Sequence, residues 1–220
     1  MTSKQSLAIR TQTKEYSSWS LWYISIYLLI YIGINVVTYF TQGEITWTFI
    51  EGSFSSTTVF MLIVGLLSMG GFLNHYLSTG LTRRIYFRSV LFSGILVTVV
   101  IVIFTILLSF LIHGVLLATG WDQLYSDRIM ENQSMFPSIV ESLSYSASIL
   151  LFFLIGWSIS FGFYKHWVQG ALYIALGVAI TMITSHPLFE SILPIYFTLF
   201  FIGFYVFLLH RGTRTLDVSP

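Results

Sequence analysis

Six stretches of this chain run for 20 or more positions without a charged residue: 16–43, 52–82, 89–121, 142–164, 166–189 and 191–210. A bilayer core of about 30 Å is crossed by about 20 helical residues rising about 1.5 Å each. Backbone in lipid must satisfy its own hydrogen bonds, which leaves helices or closed barrels. These stretches are continuously apolar and do not alternate, so helices are favoured over barrel strands. The residues between them cannot clothe a water-soluble domain. Only 9% of the chain is charged and 55% is hydrophobic, where a soluble domain carries about 25% charged residues.

The expected fold is therefore an all-α integral membrane protein with six transmembrane helices. The spans are expected at about 20–41, 54–73, 89–118, 143–163, 167–184 and 190–209. Residues 1–19 form an N-terminal segment, 20–210 the membrane domain and 211–220 a tail. The first apolar stretch is too long for a signal-peptide core and has no small-residue cleavage site, so it reads as a permanent span. The third is long enough to tilt or to project. The fourth and fifth are separated only by FGFYKHWVQG. The mixture of Leu7, Ile9, Tyr16 and Trp19 with Arg10 and Lys14 predicts an interfacial helix, with a short flexible tail as the alternative.

Charge distribution sets the orientation. With the N-terminus cytoplasmic, nine of the ten Lys and Arg fall inside and only Arg128 outside, as the positive-inside rule requires. Seven acids fall outside, leaving Glu15 and Asp217 inside. Both termini are then cytoplasmic, which an even number of spans permits. The outer loop 119–141 is acidic, has room for a short helix and contains the sequon Asn132-Gln133-Ser134, a match common by chance.

Chemical motifs are scarce. No GxxxxGKS or GxxxxGKT phosphate loop, HExxH or GxSxG is present, and there is no cysteine. The expectation is a chain that is not itself an enzyme, holds no cofactor or metal, and does not bind nucleic acid. His113 lies within the third span, where an ionisable group is a candidate for a substrate or proton role. Its alternative is a neutral side chain bonded to a neighbouring helix. Hydroxyls near the outer ends of spans two and four, among them Ser55, Thr58 and Ser146, are candidates to line a polar path. Their alternative is bonding to their own backbone or to a neighbour.

Residues 73–89 read LNHYLSTGLTRRIYFRS. Arg83, Arg84 and Arg88 hold this loop on the inner side, since an arginine at bilayer centre costs roughly 2.5–3.5 kcal/mol. Leu77, Leu81 and Ile85 recur every four positions, as on one helical face. A basic flank beside an apolar stripe is shaped to dock in a partner's groove. Gly80 either allows close approach or divides the segment in two.

The run Gly80, Leu81, Thr82, Arg83, Arg84, Ile85, Tyr86, Phe87 resembles a segment after the second span of ABC-2 type permease subunits. There a glycine and an apolar residue precede Ser or Thr, two basic residues, a variable position and two aromatics. The resemblance covers about a dozen residues directly and the six-span layout generally. It implies a bacterial plasma-membrane exporter subunit that pairs with a second permease subunit, identical or sister. It implies a separate ATPase, holding ATP and Mg, docked on a coupling helix at about 74–88. The family often carries a re-entrant pair between spans five and six; TSHPLFES is too short for one, so either the fifth span is itself shortened or the feature is missing. Apolar spans suit hydrophobic or amphipathic cargo, peptide or lipid-like. A secondary transporter or channel acting alone, and a non-transporting accessory or immunity protein, are the other readings. Against the former, no Asp, Glu, Lys or Arg sits mid-span.

The cysteine-free sequence makes the orientation testable. Ser126→Cys is expected to react with a membrane-impermeant maleimide in intact cells, and Ser78→Cys only after permeabilisation. The reverse pattern would invert the topology.

Overall fold

Why these residues form helices is clearest at their ends. Thr48 donates its backbone N–H to a Glu51 carboxylate oxygen at 2.8 Å, and the Glu51 N–H returns a 3.3 Å bond to the Thr48 hydroxyl. This reciprocal capping box starts a helix where the apolar stretch begins. Thr82 caps a second start, and Gly120, in the left-handed region at φ 69°, closes that helix through its N–H to the Leu116 carbonyl.

The computed structural model describes residues 3–45, 47–70, 72–78, 80–120, 139–184 and 193–214. Within them lie α1 (Ser3–Thr41), α2 (Phe49–Gly70), α3 (Leu73–Ser78), α4 (Arg83–Thr119), α5 (Ile139–Lys165), α6 (Trp167–Thr184) and α7 (Leu193–Arg214). Five of these, α1, α2, α4, α5 and α7, are long and apolar enough to cross a membrane. The fifth expected span, α6, is the short one. Its 18 residues reach about 27 Å. Large apolar side chains such as Leu29, Phe40, Leu111, Val115, Phe200 and Phe207 are exposed, a surface untenable in water over such an area but matched to lipid. The chain is thus a multi-span, all-α membrane protein. The expected outer-loop helix and sequon, the TSHPLFES connection and most of the C-terminal tail lie outside the described residues.

Helices overrun the apolar stretches because hydropathy reports lipid contact, whereas a helix continues until something caps it. The largest difference is α1, where a separate segment ending near residue 19 was expected. One helix of 39 residues runs through that boundary. No Pro or Gly interrupts it before Gly33. Ala8, Gln12, Tyr16, Ser20 and Ile24 form a buried stripe. Thr13 donates to Ser93 of α4 at 3.1 Å, and the Ser93 hydroxyl donates to the Ile9 carbonyl at 3.3 Å. Polar side chains along α1 bond back one turn: Ser20 to Tyr16, Ser25 to Leu21, Asn35 to Tyr31. An apolar surround requires such self-satisfaction.

The centre of the bundle is the α2–α5 pair. A Cβ on Gly65 would lie 2.1 Å from the Phe153 carbonyl oxygen, and one on Gly156 would lie 2.1 Å from that of Leu62. Only glycine lets the two backbones approach this closely. From this contact α5 turns buried side chains to three neighbours. Phe153 fills the space at Gly94 of α4, Trp157 meets Phe87 of α4 at 5.2 Å, and Phe161 packs where a Cβ on Gly212 of α7 would fall.

The packing gathers charge by sign. Arg83 opens α4, Lys165 closes α5 and Arg211 lies in the last turn of α7, and Phe87 against His210 at 5.4 Å puts them at one end. Glu51 and Glu141 open α2 and α5 at the other, where the hydroxyls of Ser53 and Tyr145 lie 3.3 Å apart.

Gly65→Leu and Gly156→Leu are each expected to cost more than about 3 kcal/mol, the upper range of overpacking. Gly33→Leu, with open space around it, should cost nothing and gain up to about 1 kcal/mol from helix propensity. Thermal unfolding in detergent ranks the three.

Candidate functional site: a braced basic elbow

Between α2 and α4 the chain stops twice and starts twice, with α3 in between. Gly80 sits at φ +80°, exposed, with nothing within 4 Å of a would-be Cβ. The Leu81 N–H bonds back to the Tyr76 carbonyl at 3.4 Å. This is the Schellman arrangement that ends a helix with a left-handed glycine. Thr82, in extended backbone, then caps α4 through its hydroxyl, which accepts from the Ile85 N–H at 3.4 Å.

The stop corrects the expected apolar stripe. Leu77 belongs to α3, Leu81 to the turn and Ile85 to α4, so the three do not share one helical face. The segment divides at Gly80, one of the two roles open to that glycine. The side chain of Leu77 lies outside what is described. Leu81 is half-buried and packs on the core cluster. Arg83 and Ile85 are half-buried; Thr82, Arg84 and Arg88 are exposed.

Tyr86 and Phe87, the two aromatics of the run that resembles the ABC-2 segment, are buried anchors. The Tyr86 hydroxyl donates to the Ser68 carbonyl of α2. The Ser68 hydroxyl donates to the Val64 carbonyl at 2.9 Å and lies 2.8 Å from the Tyr16 hydroxyl of α1. Phe87 points the other way, onto Trp157 and His210. Consecutive residues thus tie the start of α4 to α1 and α2 on one side and to α5 and α7 on the other.

Aromatic rings close the α1 side. Phe72 lies 6.1 Å from Tyr16, 5.6 Å from Trp19 and 6.2 Å from Tyr76, and Tyr76 lies 5.9 Å from Tyr86. The Tyr76 hydroxyl donates to a Glu15 carboxylate oxygen at 3.4 Å. Burial first, then the Glu15 charge, pushes Tyr76 up to about 12, so it remains a donor at neutral pH. Tyr16, Glu15 and Ser68 could not be picked out from the sequence; their partners are 52 to 61 positions away.

The hydroxyls proposed from the sequence as path-lining candidates do not gather in one place. Thr58 donates to the Ser55 carbonyl and Ser146 to that of Ser142, one turn back in their own helices. Ser55 is exposed and His113 is half-buried on α4. The hydroxyls that do converge are others. Tyr23 of α1 donates to Ser56 at 2.8 Å and lies 2.9 Å from Thr57, to which Tyr145 of α5 donates at 3.1 Å.

Tyr86→Phe is expected to cost about 1 kcal/mol, one hydrogen bond. Tyr86→Ala should cost about 3–5 kcal/mol, a buried aromatic, and Arg84→Gln less than about 0.5 kcal/mol, an exposed site. Unfolding midpoints in detergent should fall least for Arg84→Gln, more for Tyr86→Phe and most for Tyr86→Ala; equal midpoints would remove the anchor role from Tyr86.

The chain matches no protein-family model, no curated protein and no solved structure. Its class, a multi-span all-α membrane protein, rests on its own residues and packing.

Proposed function

We propose that this chain is the membrane permease subunit of an ABC exporter in a bacterial plasma membrane, driven by a separate ATPase docked on the elbow at 80–88. The observation that carries the reading is the two-sidedness of that elbow. Gly80, Thr82, Arg84 and Arg88 face outward, while Tyr86 and Phe87, between the two arginines, are fixed in the core. Such a segment transmits displacement, because a push on its outer rim cannot be absorbed by local bending. The likeness of residues 80–87 to the ABC-2 segment supports the same assignment. In this reading the basic end is cytoplasmic, as are both termini, and the partner supplies ATP and Mg. A second permease subunit completes the path, and cargo is hydrophobic or amphipathic, in keeping with uncharged spans.

The test uses the exposed arginines, because Leu81 contributes to packing and its substitution would confound docking with folding. The tagged chain is expressed in its native host and purified in mild detergent. A phosphate-loop ATPase is expected to co-purify. Arg84→Glu/Arg88→Glu should cut its recovery and the ATP turnover of the complex at least about tenfold, since a docking charge reversal costs several kcal/mol, with membrane insertion unchanged. Equal recovery from the variant would overturn the docking role.

A further inference from the structure

At the basic end, the last turn of α5, the first turn of α6 and the last turns of α7 enclose a groove of about 560 Å³. Its walls include Leu172, Tyr173 and Phe207, and its polar groups are Lys165, Gln169 and Arg211. Leu172 and Phe207 are each 63% exposed, so the walls continue the lipid-facing surface. Among the described residues the lining has two cations, one amide and no carboxylate.

We propose that this groove binds an anionic phospholipid, with the phosphate between Lys165 and Arg211 and the upper acyl chain against Leu172 and Phe207. The two cations come from different helices, 46 positions apart in the sequence, and converge on one concavity. Each complements the negative end of its own helix, but that role needs no shared groove and no apolar floor. Lys165 is also poised over the Phe161 ring, 5.9 Å from its centre. The attraction for an anion comes from side chains rather than from the start of α6. Three of the first amides there are already used: Val168 N–H donates to His166 Nδ1 at 3.3 Å, and Gln169 and Gly170 donate to the His166 carbonyl. Charge and depth together select the occupant. Lys165 and Arg211 end apolar helices, at the level where headgroups lie, and a soluble anion would gain nothing from the apolar walls.

The full chain is purified in detergent and titrated with dioleoyl phosphatidylglycerol or dioleoyl phosphatidylcholine, with retained lipid read by native mass spectrometry. Phosphatidylglycerol is expected to be retained in preference. Lys165→Gln or Arg211→Gln should each weaken that retention about fivefold, and the pair about thirtyfold. Arg84→Gln/Arg88→Gln, at the same end but outside the groove, should leave it unchanged. Leu172→Trp, at an exposed wall position, should weaken it by filling the groove, and it serves equally if the double charge variant does not fold. Equal retention of both lipids overturns the site, as does equal loss from the elbow variant. Displacement by millimolar inorganic phosphate would assign the cations to a free anion instead and overturn the lipid.

Discussion

The contact on which the bundle depends is backbone against backbone. At Gly65 and Gly156, α2 and α5 approach so closely that any side chain would strike a carbonyl oxygen. In lipid the hydrophobic effect does not drive helices together, so close packing must supply the association. Glycine at both faces of the crossing makes that packing continuous. Everything else is placed relative to it. Phe153, Trp157 and Phe161 follow at intervals of about one turn along α5 and carry the fixed geometry to α4 and α7.

The elbow inherits its rigidity from this pair. Tyr86 is bonded to Ser68, three positions after Gly65 on α2, and Phe87 rests on Trp157, next to Gly156 on α5. Both anchors therefore attach to the tightest part of the molecule. The exposed arginines flank them on the same helix. Arginines at this position satisfy the topological requirement without any packing. The packed tyrosine and phenylalanine between them are what the topological requirement leaves unexplained.

The order of the apolar helices, five of them long enough to cross a membrane, was legible because lipid imposes a simple criterion, uninterrupted apolar length, and residues such as Glu51, Arg83 and Lys165 punctuate it. The start of α1 was not, because Glu15 ends the apolar stretch without ending the helix. Hydropathy carries no record of the Ser93 and Ile9 contact that holds that part in place. The elbow residues could be named from their pattern, but their roles could not. Spacing by four implied one face, whereas Gly80 and the Thr82 cap divide the segment and turn Tyr86 and Phe87 inward. Gly65 and Gly156 each look ordinary in an apolar run; only the pairing of helices distant in sequence gives them meaning. Hydroxyl content likewise does not fix which helix face looks inward, so the convergence of Tyr23, Thr57 and Tyr145 could not be read from it.

Two polar clusters hang on α2, one at each end: Tyr16 and Tyr86 at Ser68, and Tyr23 and Tyr145 at Thr57. They are 11 positions apart, about 16 Å along the helix. Between them α5 grips α2 at Gly65, so both clusters sit on one close-packed pair of helices. α1 is attached differently. It meets α2 through tyrosine hydroxyls at both levels, each bond worth about 1 kcal/mol, and through rings, Tyr23 stacked on Phe60 at 4.6 Å and Tyr31 edge-on to Phe49 at 5.0 Å. Separating α2 from α5 would instead open a close-packed backbone seam with no alternative partners. Hydroxyls and rings at two levels thus join α1 to α2, Thr13 and Ile9 join it to Ser93 of α4, and the α2–α5 seam that α4 also rests on is backbone against backbone.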